Sequence, residues 1–233
     1  MLMTQGLGAG YKKLQVLFDV SVTVPEKQLT VVVGPNGSGK STFLKTIFGL
    51  TKIYSGKIML DGVDITGLQP HQIAYHGISY VPQVDNIFSN LTVYENLLIA
   101  THGLNIDESS IDDVMEMFPH LKTYRNKKAA LMSGGERQML AIAMSLLRKP
   151  KIMLFDEPTG NLSPKMAITI FNIIKELREN HGKTILLAEQ NAKKALEIGD
   201  KAILLVSGKT VYQGDANALL THEELGKLYL GIK

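Results

Sequence analysis

At 233 residues, with 45% hydrophobic and 20% charged side chains, the chain can bury the core of one large domain or of two lobes around a shared site, which excludes the disordered and fibrous classes. Its net charge of +3 is spread along the chain as isolated pairs (Lys12-Lys13, Lys127-Lys128, Lys193-Lys194), without the dense basic stripe and stacking aromatics of a nucleic-acid footprint. It has no cysteine, so disulfides, thiolate chemistry and a cysteine-based zinc site are ruled out.

In chain order, residues 14–33 hold alternating and β-branched stretches, Val20-Ser21-Val22-Thr23-Val24 and Thr30-Val31-Val32-Val33, that predict strands. A glycine-rich loop follows at 34–39, then a helical pattern from Lys40 to about Leu50. Residues 55–66 predict a short strand pair, with Asp61-Gly62 as its hairpin turn. From about Asn86 to Arg148 the pattern is predominantly helical. Three short apolar runs come next, at 152–155, 184–188 and 202–206, separated by helical segments at 164–178 and 191–198. Such alternation predicts a parallel α/β sheet, with the helical middle as a lobe inserted into it. The tail from Thr221 to Lys233 reads as an amphipathic helix. None of the apolar runs approaches the roughly 20 residues of a spanning helix. The opening Met1-Leu2-Met3-Thr4-Gln5 lacks the basic region and apolar core of a signal peptide. Any link to a membrane is expected to run through a partner.

The strongest chemical signal is GPNGSGKST at 34–42: Gly34, Pro35, Asn36, Gly37, Ser38, Gly39, Lys40, Ser41 and Thr42. It fits Gly-x-x-x-x-Gly-Lys-Ser, between a predicted strand and a predicted helix. The glycines let the backbone curl so that successive N–H groups point at phosphate oxygens, and the helix start adds the positive end of its dipole. Lys40 is then the point charge for β- and γ-phosphates, and the Ser41 hydroxyl a ligand for Mg²⁺. A second group of acids ends another strand: Ile152-Met153-Leu154-Phe155 is followed by Asp156 and Glu157. Asp156 is placed to hold Mg²⁺, directly or through water, and Glu157 to polarise an attacking water. A GTPase is disfavoured, because Asn126-Lys127-Lys128-Ala129 lacks the base-reading acid of Asn-Lys-x-Asp.

Between these motifs lies LMSGGERQ, with Met132-Ser133-Gly134-Gly135-Glu136 just before a helix and Gly135 some 22 residues ahead of Glu157. Here the sequence resembles the ABC ATPases, whose signature reads Leu-Ser-Gly-Gly-Gln; Met132 and Glu136 are departures at its outer positions. The resemblance implies a P-loop ABC ATPase fold: a mixed sheet core, a small antiparallel β lobe and an inserted helical lobe. One nucleotide-binding domain would span 1–233, with an ATP-binding core at 1–85 and 149–233 and a helical signature lobe at about 86–148. It further implies that Ser133, Gly134, Gly135 and Glu136 close on the γ-phosphate held by a second ATPase subunit, so that two subunits sandwich two ATP molecules. Tyr11, ahead of the first predicted strands, corresponds to the aromatic that stacks on adenine. Gln83, in Tyr80-Val81-Pro82-Gln83, resembles the glutamine that senses Mg²⁺ and joins lobe to core.

Two departures matter. Ser163 stands where the loop after the acid commonly ends in Asp, and Gln190 stands at the switch position, normally His. Glutamine can hydrogen-bond a phosphate but cannot donate from a cation, so sensing at this residue is expected to be insensitive to pH. The six histidines do not fill the gap by position and read as surface or packing residues. AEQNAKKAL at 188–196, MSGGERQMLAIA at 132–143 and LYLG at 228–231 are similar to the ATPases of branched-chain amino acid importers, in particular the shorter of that system's two. The expected partners are a second ATPase, identical or homologous, two transmembrane permease subunits and, indirectly, an extracytoplasmic solute-binding protein, with no nucleic acid. The expected place is the cytoplasmic face of the cell membrane. Importers of urea or short amides share the Glu-Gln dipeptide. A non-transport ABC ATPase would need two motor domains in one chain or long coiled coils, which 233 residues do not hold.

Overall fold

The computed structural model describes residues 1–84, 86–103 and 109–231. The core-to-lobe boundary at 85/86, part of the 86–148 stretch and the end of the 221–233 tail therefore touch or lie outside the described residues. Strands β1 (Leu2–Tyr11), β2 (Leu14–Val24) and β3 (Leu29–Val33) open the chain, followed by α1 (Lys40–Ile47), β4 (Lys52–Leu60), β5 (Val63–Asp64), α2 (Pro70–Tyr75) and β6 (Ile78–Val81). Helices α3 (Val93–Thr101), α4 (Ser109–Met117), α5 (Pro119–Lys122) and α6 (Gly134–Leu147) come next. The chain then runs through β7 (Ile152–Asp156), α7 (Pro164–Glu179), β8 (Thr184–Ala188), α8 (Ala192–Ile198), β9 (Lys201–Val206) and β10 (Lys209–Asp215). It closes with α9 (Ala216–Leu220), α10 (Glu223–Leu225) and a π-helical turn at Gly226–Leu230. Among the described residues, no helix is long and apolar enough to cross a membrane.

Two sheets form. The smaller is antiparallel, in the order β2-β1-β4-β5; the larger runs β10-β9-β3-β8-β7-β6. In the larger sheet β9, β3, β8, β7 and β6 are parallel, and only β10 is antiparallel, to β9. Its central strands β3, β7 and β8 are buried throughout and mostly apolar because both faces are covered. Val31, Met153, Phe155, Ile185, Leu187 and Leu204 face the cluster that includes α3, α4 and α6–α9. Their alternates Val32, Leu154, Leu186 and Ile203 face α1 and the antiparallel sheet. The period-2 reversal of side chains thus splits one strand between two cores. Each fully buried aliphatic side chain contributes about 1.5–3 kcal/mol.

The middle helices are set by their starts. Thr92 and Ser133 each accept a hydrogen bond from the N–H of Glu95 and Glu136, and those glutamates accept in return from the Thr92 and Ser133 N–H at 2.7 Å. This reciprocal cap satisfies two orphan donors per helix. Ser163 caps α7 in one direction only, accepting from the Met166 N–H at 3.4 Å. Ser163 is therefore a sound helix starter in the place of an Asp.

Two elements differ from expectation. Tyr11 is not ahead of the first strands but ends β1, a strand hidden in the sequence by Gly6, Gly8 and Gly10. Gly10 fits a close approach: a Cβ there would lie 2.1 Å from the Leu14 carbonyl oxygen. The Asp61-Gly62 turn does form, with φ of 49° and 81° and strands β4 and β5 on either side. The tail is helical over residues 223–230, started by His222 Nδ1 accepting from the Leu225 N–H, but it passes from α10 into a π-helical turn at Gly226.

One carboxylate ties three elements together. Asp200 accepts from the Leu29 N–H at the start of β3 and from Arg178 Nη2 near the end of α7, each at 2.8 Å. Asp200→Ala leaves both donors without it, and a lost charge-assisted bond of this kind costs about 1–3 kcal/mol. Chemical denaturation should show that loss, with Asp200→Asn recovering part of it; an unchanged midpoint would contradict the role.

Candidate active site

The turn between β3 and α1 needs a backbone that few residues allow. Gly34 has φ of 149°, and a Cβ there would lie 2.0 Å from the Leu205 carbonyl oxygen. The loop is pinned by the Ser38 N–H donating to the Pro35 carbonyl at 3.1 Å and the Gly208 N–H donating to the Ser38 carbonyl at 2.9 Å. α1 begins after Gly39 with no side-chain cap and no acid in its first turn. Its N–H groups and the positive end of its dipole are thus left for an anion. The Lys40 ammonium lies inside the curl, donating to the Gly34 and Pro35 carbonyls at 3.0 and 3.3 Å. Burial pushes its pKa down, against the pull of Glu157, Asp156 and Glu189.

Sheet register sets the acids beside this loop. Val32, Ala188 and Asp156 lie side by side across β3, β8 and β7. One residue beyond, Glu157 takes a left-handed φ of 48°, its N–H donating to the Ala188 carbonyl at 2.9 Å. Its carboxylate Oε2 accepts from Gln190 Nε2 at 2.9 Å and from Gln83 Nε2 at 3.4 Å. Burial pushes the Glu157 carboxyl up, with Asp156 adding to the rise while Lys40 and the Gln190 bond work against it. Asp156 is buried, and its Oδ2 accepts from the Tyr80 hydroxyl at 2.8 Å. Its Oδ1 is buried without a hydrogen-bond partner. Burial, then the Asp156 charge, pushes the Tyr80 phenol far up, so it is a committed donor.

A cleft of about 360 Å³ is lined by Asn36–Thr42, Glu157 and Gln190 together with Val16. The structure thus brings together the glycine-rich loop, Lys40, Ser41, Glu157 and Gln190, with Asp156 and Gln83 at their backs. Two groups stay apart from it. Tyr11 is 40% exposed at the end of β1 and does not line the cleft. Ser133, Gly135 and Glu136 do not line it either, and Gly134 lines a different cleft, with Gln83 and Leu162. Burial pushes the Glu136 carboxyl up, but hydrogen bonds from Ser133 and Tyr124 outweigh it and hold it below its ordinary value.

Sequence reasoning misses two residues here, Tyr80 and Glu189. Glu189 is 2% exposed and follows the apolar run 184–188. That is the same strand-then-acid pattern that marks Asp156, so the signal is present.

A glycine-rich Gly-Lys-Ser loop opening a helix, beside two acids at the end of a parallel strand two places along the sheet, is the pattern of a P-loop nucleotide hydrolase. The family model described as ABC transporter matches residues 17–160. A probable branched-chain amino acid transport ATP-binding protein, LivF, of Archaeoglobus fulgidus is 52% identical over 234 residues, covering 100% of this chain and 99% of its own. The high-affinity branched-chain amino acid transport ATP-binding protein BraG of Pseudomonas aeruginosa is 41% identical, covering 99% and 100%. A dimeric ATP-binding cassette, solved in a post-hydrolysis state with ADP and phosphate, superposes with a TM-score of 0.80 at 27% identity, covering 93% of this chain and 99% of that one. The chain belongs to the ABC transporter family, and within it is an ATP-binding, ATP-hydrolysing subunit.

The raised Glu157 pKa has a consequence for stability. A group whose pKa is raised by folding favours the protonated form, so its contribution is present below the ordinary carboxylate pKa and lost as pH rises through the raised value. Glu157→Gln removes that loss. Thermal melts should show the variant more stable than the parent at pH 7, with the gap closing as pH falls through the carboxylate range. A gap that widens on acidification would contradict burial as the dominant cause.

Proposed function

We propose that this subunit drives import of branched-chain amino acids, with hydrolysis carried by Glu157 acting on a water at the γ-phosphate of ATP held by residues 34–42. The observation that carries the proposal is the Glu157 carboxylate at the cleft wall, held by Gln190 Nε2 at 2.9 Å beside the lysine-bearing loop. Its raised pKa suits proton acceptance near neutral pH, since a general base works best with a pKa close to the operating pH. Lys40 exchanges the Gly34 and Pro35 carbonyls for phosphate oxygens, and Gln190 orients the base without adding charge.

Mg²⁺ fits this donor set. The Ser41 hydroxyl, the unpartnered Asp156 Oδ1 and the Gln83 amide oxygen would hold it. Among the described residues no cluster of three or more acids and histidines could hold a metal alone, so phosphate oxygens would complete the shell, as is usual for this hard ion. When bound, it supplies positive charge against the β- and γ-phosphates.

The remaining assignments follow from placement. Ser133, Gly134, Gly135 and Glu136 start α6 outside the chain's own cleft, with Ser133 and Gly134 exposed, which supports their acting on the nucleotide of a second subunit. The dimeric relative with ADP and phosphate supports that arrangement. Tyr11, exposed at the end of β1, is offered to the adenine. Helices α3–α6 lie in sequence between the paired parallel strands β6 and β7, which supports reading about 86–148 as a lobe inserted into a core of 1–85 and 149–233. The partners are transmembrane permease subunits, placing the chain at the cytoplasmic face of the membrane, with a solute-binding protein reached through them. Two full-length relatives named for branched-chain amino acid transport support the cargo.

Two variants test the chemistry. Glu157→Gln should bind ATP as the parent does and lose hydrolysis by about 10²–10⁴-fold; near-normal turnover removes the residue from its role. Lys40→Ala should weaken ATP binding by roughly 10–100-fold, the worth of a charge-assisted contact, and unchanged affinity by calorimetry sinks the loop assignment. For the cargo, the complex co-purified from membranes and placed in vesicles should take up leucine with ATP. Uptake of urea or short amides instead would overturn that part.

A further inference from the structure

Glu189 is a buried carboxylate that the hydrolysis just described does not use. All its bonds go to two loops. Oε1 accepts from the Thr159 N–H at 3.1 Å and from the Thr159 hydroxyl at 2.7 Å, while Oε2 accepts from the Gln190 N–H at 3.1 Å. Thr159 lies two residues after Glu157, across Pro158, and Gln190 donates back to Glu157 Oε2 at 2.9 Å. A closed ring results: Glu157 runs by backbone to Thr159, by hydrogen bonds to Glu189, by backbone to Gln190, and by hydrogen bond to Glu157 again.

We infer that Glu189 is a positioning residue for hydrolysis, fixing the Gln190 amide and the backbone after Glu157 so that the Glu157 carboxylate is held in one orientation. The inference rests on the proposed role of Glu157. Its physical reason lies in the neutrality of Gln190. A histidine cation would be drawn to a carboxylate or phosphate by charge, whereas a neutral amide gains only an ordinary hydrogen bond. The amide is exposed to water that competes for it, so its place must be set by the backbone. Glu189 sets it from both sides, and two bonds to one residue and one to the next leave neither loop free to shift. Burying a carboxylate is costly unless its acceptor sites are filled, and burial does push the Glu189 carboxyl up against its hydrogen bonds. A group retained at that cost, at the end of the strand beside β7, is placed for the site rather than for the core.

Glu189→Gln separates the contacts, being nearly isosteric. Its amide oxygen can keep the two Thr159 bonds, but its NH₂ then faces the Gln190 N–H, donor against donor. The expected result is a fall in kcat of about 10- to 100-fold, the scale of a small misplacement of reacting groups, with the KM for ATP within about threefold of the parent. Thr159→Val should give a smaller loss in kcat. In a Gln190→Ala background, Glu189→Gln should cost under about twofold more, because it acts through Gln190. Additive losses in that double variant, or a KM that rises with a falling melting temperature, would mark a merely structural residue and overturn the inference. If Glu157→Gln and Gln190→Ala lower turnover while Glu189→Gln leaves it unchanged, this inference alone fails. If Glu157→Gln is itself without effect, the proposed function fails with it.

Discussion

Four neighbouring parallel strands, held in a register in which Val32, Ala188 and Asp156 stand side by side, are the constraint on which the rest of the structure depends. Four loops leave from the carboxyl edge of that array: residues 34–39 after β3, Gln190 after β8, Glu157 after β7 and Gln83 after β6. Ligands of open α/β sheets bind outside the carboxyl ends of the strands for this reason. A slip in register would carry Asp156 and Glu157 away from the lysine they face and turn the strand's side chains to the opposite core. The two apolar clusters on either face resist such a slip, so packing far from the cleft fixes its geometry.

In the proposed function, an anionic ligand and its cation complete the electrostatics of the cleft. Three carboxylates, Asp156, Glu157 and Glu189, surround one buried ammonium, Lys40. Each carboxylate is satisfied differently. Glu189 is filled by loop donors, Glu157 by the amides of Gln190 and Gln83, and Asp156 by Tyr80 on one oxygen only. That uneven distribution suits the roles proposed for them: Glu189 as a positioning residue, Glu157 as proton acceptor and Asp156 as metal ligand. Glutamine in place of histidine at residue 190 keeps a hydrogen bond to Glu157 while removing a charge that would depress its pKa. The neutral side chain thereby leaves Glu157 more basic than a cationic neighbour would.

Much of this is legible in the sequence. The phosphate loop and the Asp156-Glu157 strand end are readable because their chemistry demands fixed residue types at fixed spacing, and the central strands because burial on both faces makes them continuous apolar runs. What is hidden has identifiable physical causes. β1 carries Gly6, Gly8 and Gly10, which weaken a strand pattern, yet Gly10 serves a backbone approach too close for a Cβ. β6 has only four residues, too few for a period to show, and β10 is an edge strand with no buried residue. Tyr80 carries no signal of its own beside Gln83, and only the pairing of β6 with β7 brings its hydroxyl to Asp156. Glu189 does carry the strand-then-acid signal, but its partner Thr159, 30 residues away in sequence, shows only in the fold. The tail is helical, but its change from α10 to a π-helical turn at Gly226 is a shift in hydrogen bonding that hydrophobic periodicity does not record.

The central claim is that adjacent strand ends assemble one site around the phosphates of ATP. The most direct measurement is a crystal structure of the Glu157→Gln chain with ATP and Mg²⁺. It should show the Lys40 ammonium moved from the Gly34 and Pro35 carbonyls onto phosphate oxygens, the metal against Ser41 and Asp156, and residue 157 facing the γ-phosphate. ATP seated elsewhere, with Lys40 still on its two carbonyls, would contradict the account.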